Sequence, residues 1–460
     1  MSGKRVVILV DNRWRDLSVA GLIAFHLERR GVQCFLEPLE AGRAVLPACR
    51  PHLILFNHLL TTTLAAYSRR LHAMGVLTAV LPNEGIYFDQ GELEFNAAKF
   101  HNNAHVDLFF CWNRVHRDAL LANGGMCAKE LHVVGVPRFD FYFEPWSRVL
   151  HPAPCRSRFR PRLLVCTNFV LAKYAYLLPI EAEKLFAPWK DRVESYRDYW
   201  GIIHASASGQ RKVFAFLDEL AADPSWELVV RPHPNEDLGL YRNWCGRLPA
   251  EQRQRVTLDR ESDFSSLLMD CDLEIACETC TTSMESWIIG KPTTELVFER
   301  HPVLYHPNMA ALQPTCDDPA GLPDLVRRNL APGAQDQFCE AREKHLEEWC
   351  DSPAGCSSEK VAQLIADGVA GCPEPDWGGF GLTDCRRTFK MRLLKRLDLP
   401  YNYNPFLKLF HAIAPRRYAA KMKVYEKTPK PADVRYLNRL FNEVTRGERG
   451  GPNPANSARG

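Results

Sequence analysis

The chain begins with a run of apolar, mostly β-branched residues, 6–10, that breaks at Asp11 and Asn12. An unbroken apolar run of that length predicts a strand buried on both faces. Residues 17–30 then carry apolar side chains at helical spacing (Leu17, Ala20, Leu22, Phe25, Leu27) and stop at Gly31. The alternation continues. Residues 32–36, 52–56, 76–81, 106–112 and 131–134 read as strands, and 62–74 and 115–122 as helices. Strands alternating with helices at this spacing predict a parallel α/β sheet with helices on both faces. The first domain is expected over 1–155.

A Pro/Arg-rich linker follows at 152–161, and then a second alternating series. Strands are expected at 163–167, 228–230, 256–258, 273–276 and 293–298. Helices are expected at 212–220, 264–269, 283–289, 322–329 and 341–349, with a helical, aromatic-rich insertion at 172–203. The second domain is placed at 160–375. A basic amphipathic extension is read at 376–446, and a Gly/Pro/Asn-rich, disordered tail at 447–460.

Composition changes this picture little. The 460 residues are 46% hydrophobic and 25% charged, and the net charge of +3 is too small to imply nucleic-acid binding. Sixteen cysteines are scattered, often in apolar runs (Cys34, Cys111, Cys166), which suits buried thiols in a reducing cytosol better than a disulfide frame. The first apolar run is too short for a signal peptide, and no uncharged run approaches the ~18 residues of a membrane span. A cytoplasmic protein is expected, soluble or resting on a membrane surface. The excess charge is local: residues 386–423 hold eleven Lys/Arg against one acid, Asp398, interleaved with Met391, Leu393, Leu394, Leu397, Phe406, Leu409, Phe410 and Tyr418. That composition suits an anionic bilayer surface, and equally a basic helical pair packed on the protein.

The chemistry concentrates in 226–291. A short strand delivers Arg231 and His233 at its carboxyl end, between Pro232 and Pro234. Further on, a strand leads through a hydroxyl-rich loop into a helix. Ligands of open parallel sheets bind beyond the carboxyl ends of the strands, and helix N-termini attract anions. Arg231, His233, Thr281, Thr282 and Ser283 are therefore expected to converge on one phosphate, with Glu285 one turn into the helix. The plainer reading is a strand, loop and helix with polar caps, and a solvent-facing Glu285. In the first domain, Glu84, Asp11 and Asp140 each follow a strand and are candidate catalytic carboxylates; Asp140 has a structural alternative, pairing with Arg138 or capping a turn. Asp270-Cys-Asp272 matches a metal-holding pattern, but its place between helix and strand favours caps and turns. Cys277 and Cys280 lack a second pair for zinc.

Taken in order, Asn83-Glu84-Gly85, the segment from Gly135 to Asp140, Leu164 to Phe169, Arg231-Pro-His-Pro234 and the hydroxyl loop before Glu285 resemble the bacterial surface carbohydrate (capsule or O-antigen) biosynthesis proteins. These are related to transferases that use CMP-activated sugars such as Kdo or polysialic-type donors. The resemblance covers about residues 5–330. It implies a GT-B fold, two Rossmann-like domains facing a cleft, and a glycosyltransferase acting without cofactor or metal on a nucleotide sugar and a glycan or lipid-linked acceptor. It assigns the first domain to the acceptor and the second to the donor, and Glu285 to the ribose. Arg231 and His233 would hold the leaving phosphate, and His233 would donate a hydrogen bond or a proton. The His-Pro pair is shared with CDP-polyol phosphotransferases of teichoic-acid type, for which His58 is an available base. A 2-epimerase and a non-catalytic GT-B-like scaffold are the other readings.

Overall fold

The computed structural model describes residues 3–88, 90–99, 103–149, 160–333, 336–351 and 353–447. The chain divides into two compact units: Met1–Ile86 with Asn96–Val149 and Glu348–Gly460, and Tyr87–Phe95 with Leu150–Glu347. Most of the expected linker and all but the first residue of the expected disordered tail lie outside the described residues.

The first unit contains β1 (Arg5–Val10), β2 (Gln33–Pro38), β3 (Leu53–Phe56), β4 (Leu77–Val80), β5 (Leu108–Cys111) and β6 (Leu131–Val133). They form one parallel sheet in the order β2-β1-β3-β4-β5-β6. Both faces are covered. Val7, Leu9, Ile54 and Phe56 point into one core, and Val6, Ile8, Val10 and Leu55 into the other. Successive strand residues alternate between faces, which is why 6–10 of β1 and all of β3, buried on both sides, are continuous apolar runs.

The second unit contains β7 (Arg162–Cys166), β8 (Glu227–Arg231), β9 (Val256–Leu258), β10 (Leu273–Cys277), β11 (Thr293–Leu296) and β12 (Thr315–Cys316). Its sheet is also parallel, in the order β12-β11-β10-β7-β8-β9. The helix Tyr199–Ala222 packs Val213, Phe216, Leu217 and Leu220 into its core. Of the expected helical insertion, Pro179–Phe186 is α-helical and 199–203 begins the long helix, with short 3₁₀ turns in the remainder. Fold class and strand order are those of two doubly wound α/β sheets.

One expectation needs correction. The boundary at 375 is wrong: the second unit ends at Glu347, and everything after it belongs to the first. The helix Ser357–Ala370 explains why. Its Val361, Ala362, Ile365 and Val369 are fully buried in the first unit's core beside Ala20, Ile23 and Leu27 of the helix Leu17–Arg29. The basic extension is helical and is anchored on the first unit at both ends, in line with one of its two expected readings. Met391 joins the first unit's core and the hydroxyl of Thr388 donates to the carbonyl of Ala44. Leu440, Phe441 and Val444 of the helix Pro431–Thr445 are buried, with Phe441 against Phe25 and Trp146. Between these anchors, the helices Leu407–Ile413 and Pro415–Lys427 leave Phe406, Leu409, Phe410 and Ile413 exposed. Among the described residues, no helix is long and apolar enough to cross a membrane.

Candidate functional site

In the second unit, β8 ends at Arg231 and Pro232 stops the ladder. The loop beyond is built on Glu236, whose side chain is buried. Glu236 Oε1 accepts the backbone N–H of His233 at 3.1 Å and the hydroxyl of Thr167, which follows β7, at 2.7 Å. Its Oε2 accepts the Tyr241 hydroxyl at 2.6 Å. One carboxylate thus ties the end of β7 to the loop after β8. Sequence reasoning missed it; the available signal was an acid three residues beyond the histidine in a Pro-rich loop.

His233 is half-buried, and its Nδ1 accepts the N–H of Asn235 at 3.1 Å. Burial, and then the charges of Arg231, Lys173 and Arg260, lower its pKa to about 4. The ring is therefore neutral near pH 7. A neutral imidazole that accepts at Nδ1 carries its proton on Nε2, so His233 offers an N–H donor in cationic surroundings. Arg231 donates from Nη1 to the carbonyl of Ser262 at 2.7 Å and lies over the ring of Phe264. Its guanidinium is held in place from one side.

The loop after β10 is arranged differently from the expectation. Glu274, fully buried inside β10, accepts the hydroxyl of Thr282 at 2.8 Å and that of Ser283 at 3.4 Å. Burial pushes the Glu274 pKa up to about 8 against the pull of those hydroxyls. Thr282 and Ser283 are thus turned back onto the strand, because a buried carboxyl must be given partners. What the helix Thr281–Ile288 presents at its start is its backbone N–H groups and half-buried Thr281. Glu285 is buried, not solvent-facing, and its charge is one of those that raise the Glu274 pKa.

β8 and β10 are separated in the sheet by β7. Strands lie about 4.8 Å apart, so the two loops start roughly 10 Å from each other. Arg231 and His233 on one side and the Thr281 helix on the other flank the end of β7. Between β10 and its helix, Glu278 and Thr279 adopt positive φ of 55° and 40°. Glu278 is buried, neither oxygen has a hydrogen-bond partner, and burial with Glu236, Glu299 and Glu295 nearby raises its pKa. A Cβ on Gly209 would stand 2.7 Å from Glu278 Oε1, so only glycine fits there. Glu278 follows β10 at the sheet's switch point, and no motif singled it out.

In the first unit, the switch point lies between β1 and β3. A pocket there has an apolar floor (Ile8, Leu9, Leu55, Phe56) and a polar rim of Arg15, Asn57, Asn83 and Arg138. Asn57 Oδ1 and Trp112 Nε1 are buried without a partner, and the Arg138 guanidinium sits 4.9 Å from the Trp112 ring centroid. Glu84 does not line the pocket: it follows Asn83 in the chain, is 61% exposed, and has Arg138 Nη1 at 3.9 Å. Asp11 is held by Lys427 Nζ at 2.5 Å. His58 is half-buried beyond β3, with Nδ1 unpartnered, and its pKa is lowered by burial against the charge of Asp11.

Asp140 does not belong with these carboxylates. It is 1% exposed and accepts the backbone N–H groups of Ser357 at 2.9 Å and Ser358 at 2.6 Å, which caps the helix Ser357–Ala370. Its candidacy as a catalytic group is overturned, and Arg138 pairs with Glu84 instead. The Asp-x-Asp pair is likewise structural: Asp270 forms a buried ion pair with the Arg162 guanidinium, and Asp272 accepts the Arg162 N–H at 2.7 Å. Among the described residues every cysteine is a free thiol, and Cys277 and Cys280 join no group of three metal ligands.

No protein-family model matches the chain, and no curated protein matches it. Solved structures do. A Listeria monocytogenes protein assigned as a UDP-N-acetylglucosamine 2-epimerase superposes with a TM-score of 0.50 at 13% identity, over 82% of this chain and 99% of its own. The wall teichoic acid polymerase TagF, in a structure with CDPG, gives 0.49 at 11% identity over 80% and 89%. The UDP-GlcNAc 2-epimerase of Neisseria meningitidis, bound to UDP-GlcNAc, gives 0.47 at 11% identity over 79% and 100%. At such identities the likeness is one of fold: two parallel α/β units of GT-B type with a helical extension.

Proposed function

We propose that the protein is a glycosyltransferase of surface-carbohydrate biosynthesis that moves a sugar from a nucleotide donor to a glycan or lipid-linked acceptor. The observation that carries this reading is the state of His233: a neutral imidazole, fixed by Asn235 and Glu236, with its Nε2–H available beside Arg231. A departing nucleotide phosphate needs donors whose positions are set before charge develops. Arg231 supplies charge, and His233 a hydrogen bond or, once the approaching phosphate raises its pKa, a proton. The backbone N–H groups at Thr281 would take the other end of the donor, with Glu285 near the ribose. Arg231 and His233 compensate the phosphate charge without a metal. Glu84, exposed and only weakly paired, is the best-placed general base for an acceptor held in the pocket of the first unit; Asp11, tied to Lys427, is a positioning residue. The motifs favour a CMP or CDP leaving group over any particular sugar, and a CMP-linked acidic sugar such as Kdo is the donor proposed.

A second reading has its own support. His58, with an unpartnered Nδ1 and a lowered pKa near Asp11, is a suitable base for attack on a CDP-polyol. Thermal stabilisation of the full chain by CMP, CDP, UDP and GDP separates the cases, since a ligand that binds only the folded state raises Tm. A shift with CMP supports the acidic-sugar transferase, and a shift with CDP alone the polyol phosphotransferase. UDP alone points to the reaction named for the epimerase-like structures, and no shift from any nucleotide removes the enzyme reading in favour of a scaffold.

The acceptor is proposed to lie at the inner face of the cell membrane. Leu382, Phe389, Leu397, Phe406, Leu409 and Ile413 are all more than half exposed on the basic extension. An apolar surface edged by Lys and Arg suits an anionic lipid interface.

A further inference from the structure

A second site lies in the first unit and is independent of the proposed chemistry. His72, His105 and Asp107 bring two ring nitrogens and a carboxylate oxygen within 4.8 Å of one another. His105 Nε2 stands 3.1 Å from Asp107 Oδ1, and the two imidazoles stack with centroids 3.6 Å apart at 30°. We propose that His72, His105 and Asp107 form a binding site for one divalent transition-metal ion, of the zinc class, that clips the helix Thr62–Ala73 to the segment entering β5.

The local fold prepares this set. Ser68 and His72 are four residues apart on one helix and share a face. The Ser68 hydroxyl accepts the backbone N–H of His105 at 2.9 Å, and His72 stacks on the same residue's ring. From the other side, the Thr78 hydroxyl donates to the carbonyl of His105 at 2.7 Å. The backbone of His105 is thus held from the helix and from β4 together. Asp107 is oriented in the same way, because its Oδ2 accepts the Thr78 N–H at 2.7 Å and leaves Oδ1 towards the histidines. Ligands backed by such hydrogen bonds keep their orientation when a metal binds.

Two imidazoles and one carboxylate suit a borderline ion such as Zn²⁺, Ni²⁺ or Cu²⁺ and suit Ca²⁺ or Mg²⁺ poorly. Tetrahedral bonds of about 2.0–2.1 Å put ligand atoms roughly 3.3 Å apart. The His105–Asp107 spacing is already near that, and the exposed His72 ring turns out of its stack on His105 to complete the set. A pocket lined by His105, Gly125, Cys127 and Glu130 lies beside one of the three ligands.

The test titrates the full-length chain with Zn²⁺, and with Co²⁺ as a spectroscopic probe. One equivalent is expected to bind and to raise Tm by about 5 °C at a hundredfold excess over Kd. Cobalt is expected to give ligand-field bands without a sulfur-to-metal charge-transfer band. His72→Ala, on an exposed side chain, should leave the metal-free Tm unchanged and weaken binding at least tenfold; Asp107→Asn should do the same to binding. Unchanged affinity in His72→Ala, a sulfur band showing that thiols take the ion, or no binding at all overturns the site and leaves a stacked histidine pair with its carboxylate.

Discussion

The backbone N–H of Ser358 donates to Asp140 Oδ2 at 2.6 Å, across 218 positions of sequence. Ser357 donates to Oδ1 at 2.9 Å. Asp140→Ala therefore removes the cap of the helix Ser357–Ala370 and strands two buried N–H groups. The expected cost is about 1–3 kcal/mol. Urea denaturation should show it, while kcat per folded molecule stays within about twofold. A collapse of kcat at unchanged stability would restore Asp140 to the chemistry.

His233→Ala should lower kcat by at least ~10²-fold and weaken nucleotide binding, because it removes both the donor and the proton source at the phosphate. The side chain is half-buried at a loop, so circular dichroism and Tm should change little. Wild-type turnover in this variant would remove the phosphate site as assigned.

Glu84→Gln is expected to lower kcat by roughly 10²–10⁴-fold with a smaller change in KM, as loss of a general base does. Asp11→Asn should cost less, because Asp11 acts through its pairing with Lys427. If the His58→Ala variant is the inactive one and Glu84→Gln is normal, the polyol reading gains.

Stability should respond to pH through Glu274. Its pKa is raised to about 8 from an ordinary 4.5, so the unfolded chain releases this proton at lower pH than the folded one. The contribution is complete below the unfolded value and is lost as pH rises from about 4.5 through about 8. Glu274→Gln should flatten the fall of Tm between those values. Four histidines act oppositely: His26, His116, His233 and His345 have pKa values lowered by burial to about 4, so their contribution is present above 6.5 and lost as pH falls towards 4. A Glu274→Gln protein with an unchanged alkaline slope would place the burden elsewhere.

Phe406→Ser with Ile413→Ser should reduce binding to anionic vesicles at low salt and leave Tm within a degree or two, since both side chains are exposed. Phe441→Ala should do the reverse, costing about 3–5 kcal/mol without changing vesicle affinity. Deleting the whole extension would mix the two effects. Vesicle binding that survives the double variant would assign the extension to packing alone.

The α/β class and eleven of the twelve strands were legible in the sequence, because strands covered on both faces carry mostly apolar runs at regular spacing between helical patterns. β12, two residues long, carries no such pattern. The place of Arg231 and His233 at and just beyond the end of β8 was legible too, since prolines on both sides leave a strand end few alternatives. What sequence position could not supply was partnership. Asp140 and Glu84 look alike in the chain, each an acid in a turn beyond a strand, yet one is sealed under a helix that begins at Ser357 and the other stands in solvent. Thr282 and Ser283 look like a phosphate loop, but Glu274 is buried beneath them and claims their hydroxyls. The sequence by itself determined the layers, because burial on a sheet depends on local period. The tertiary structure alone decided which polar groups are left for a ligand, because a hydrogen bond is settled by which groups meet in space.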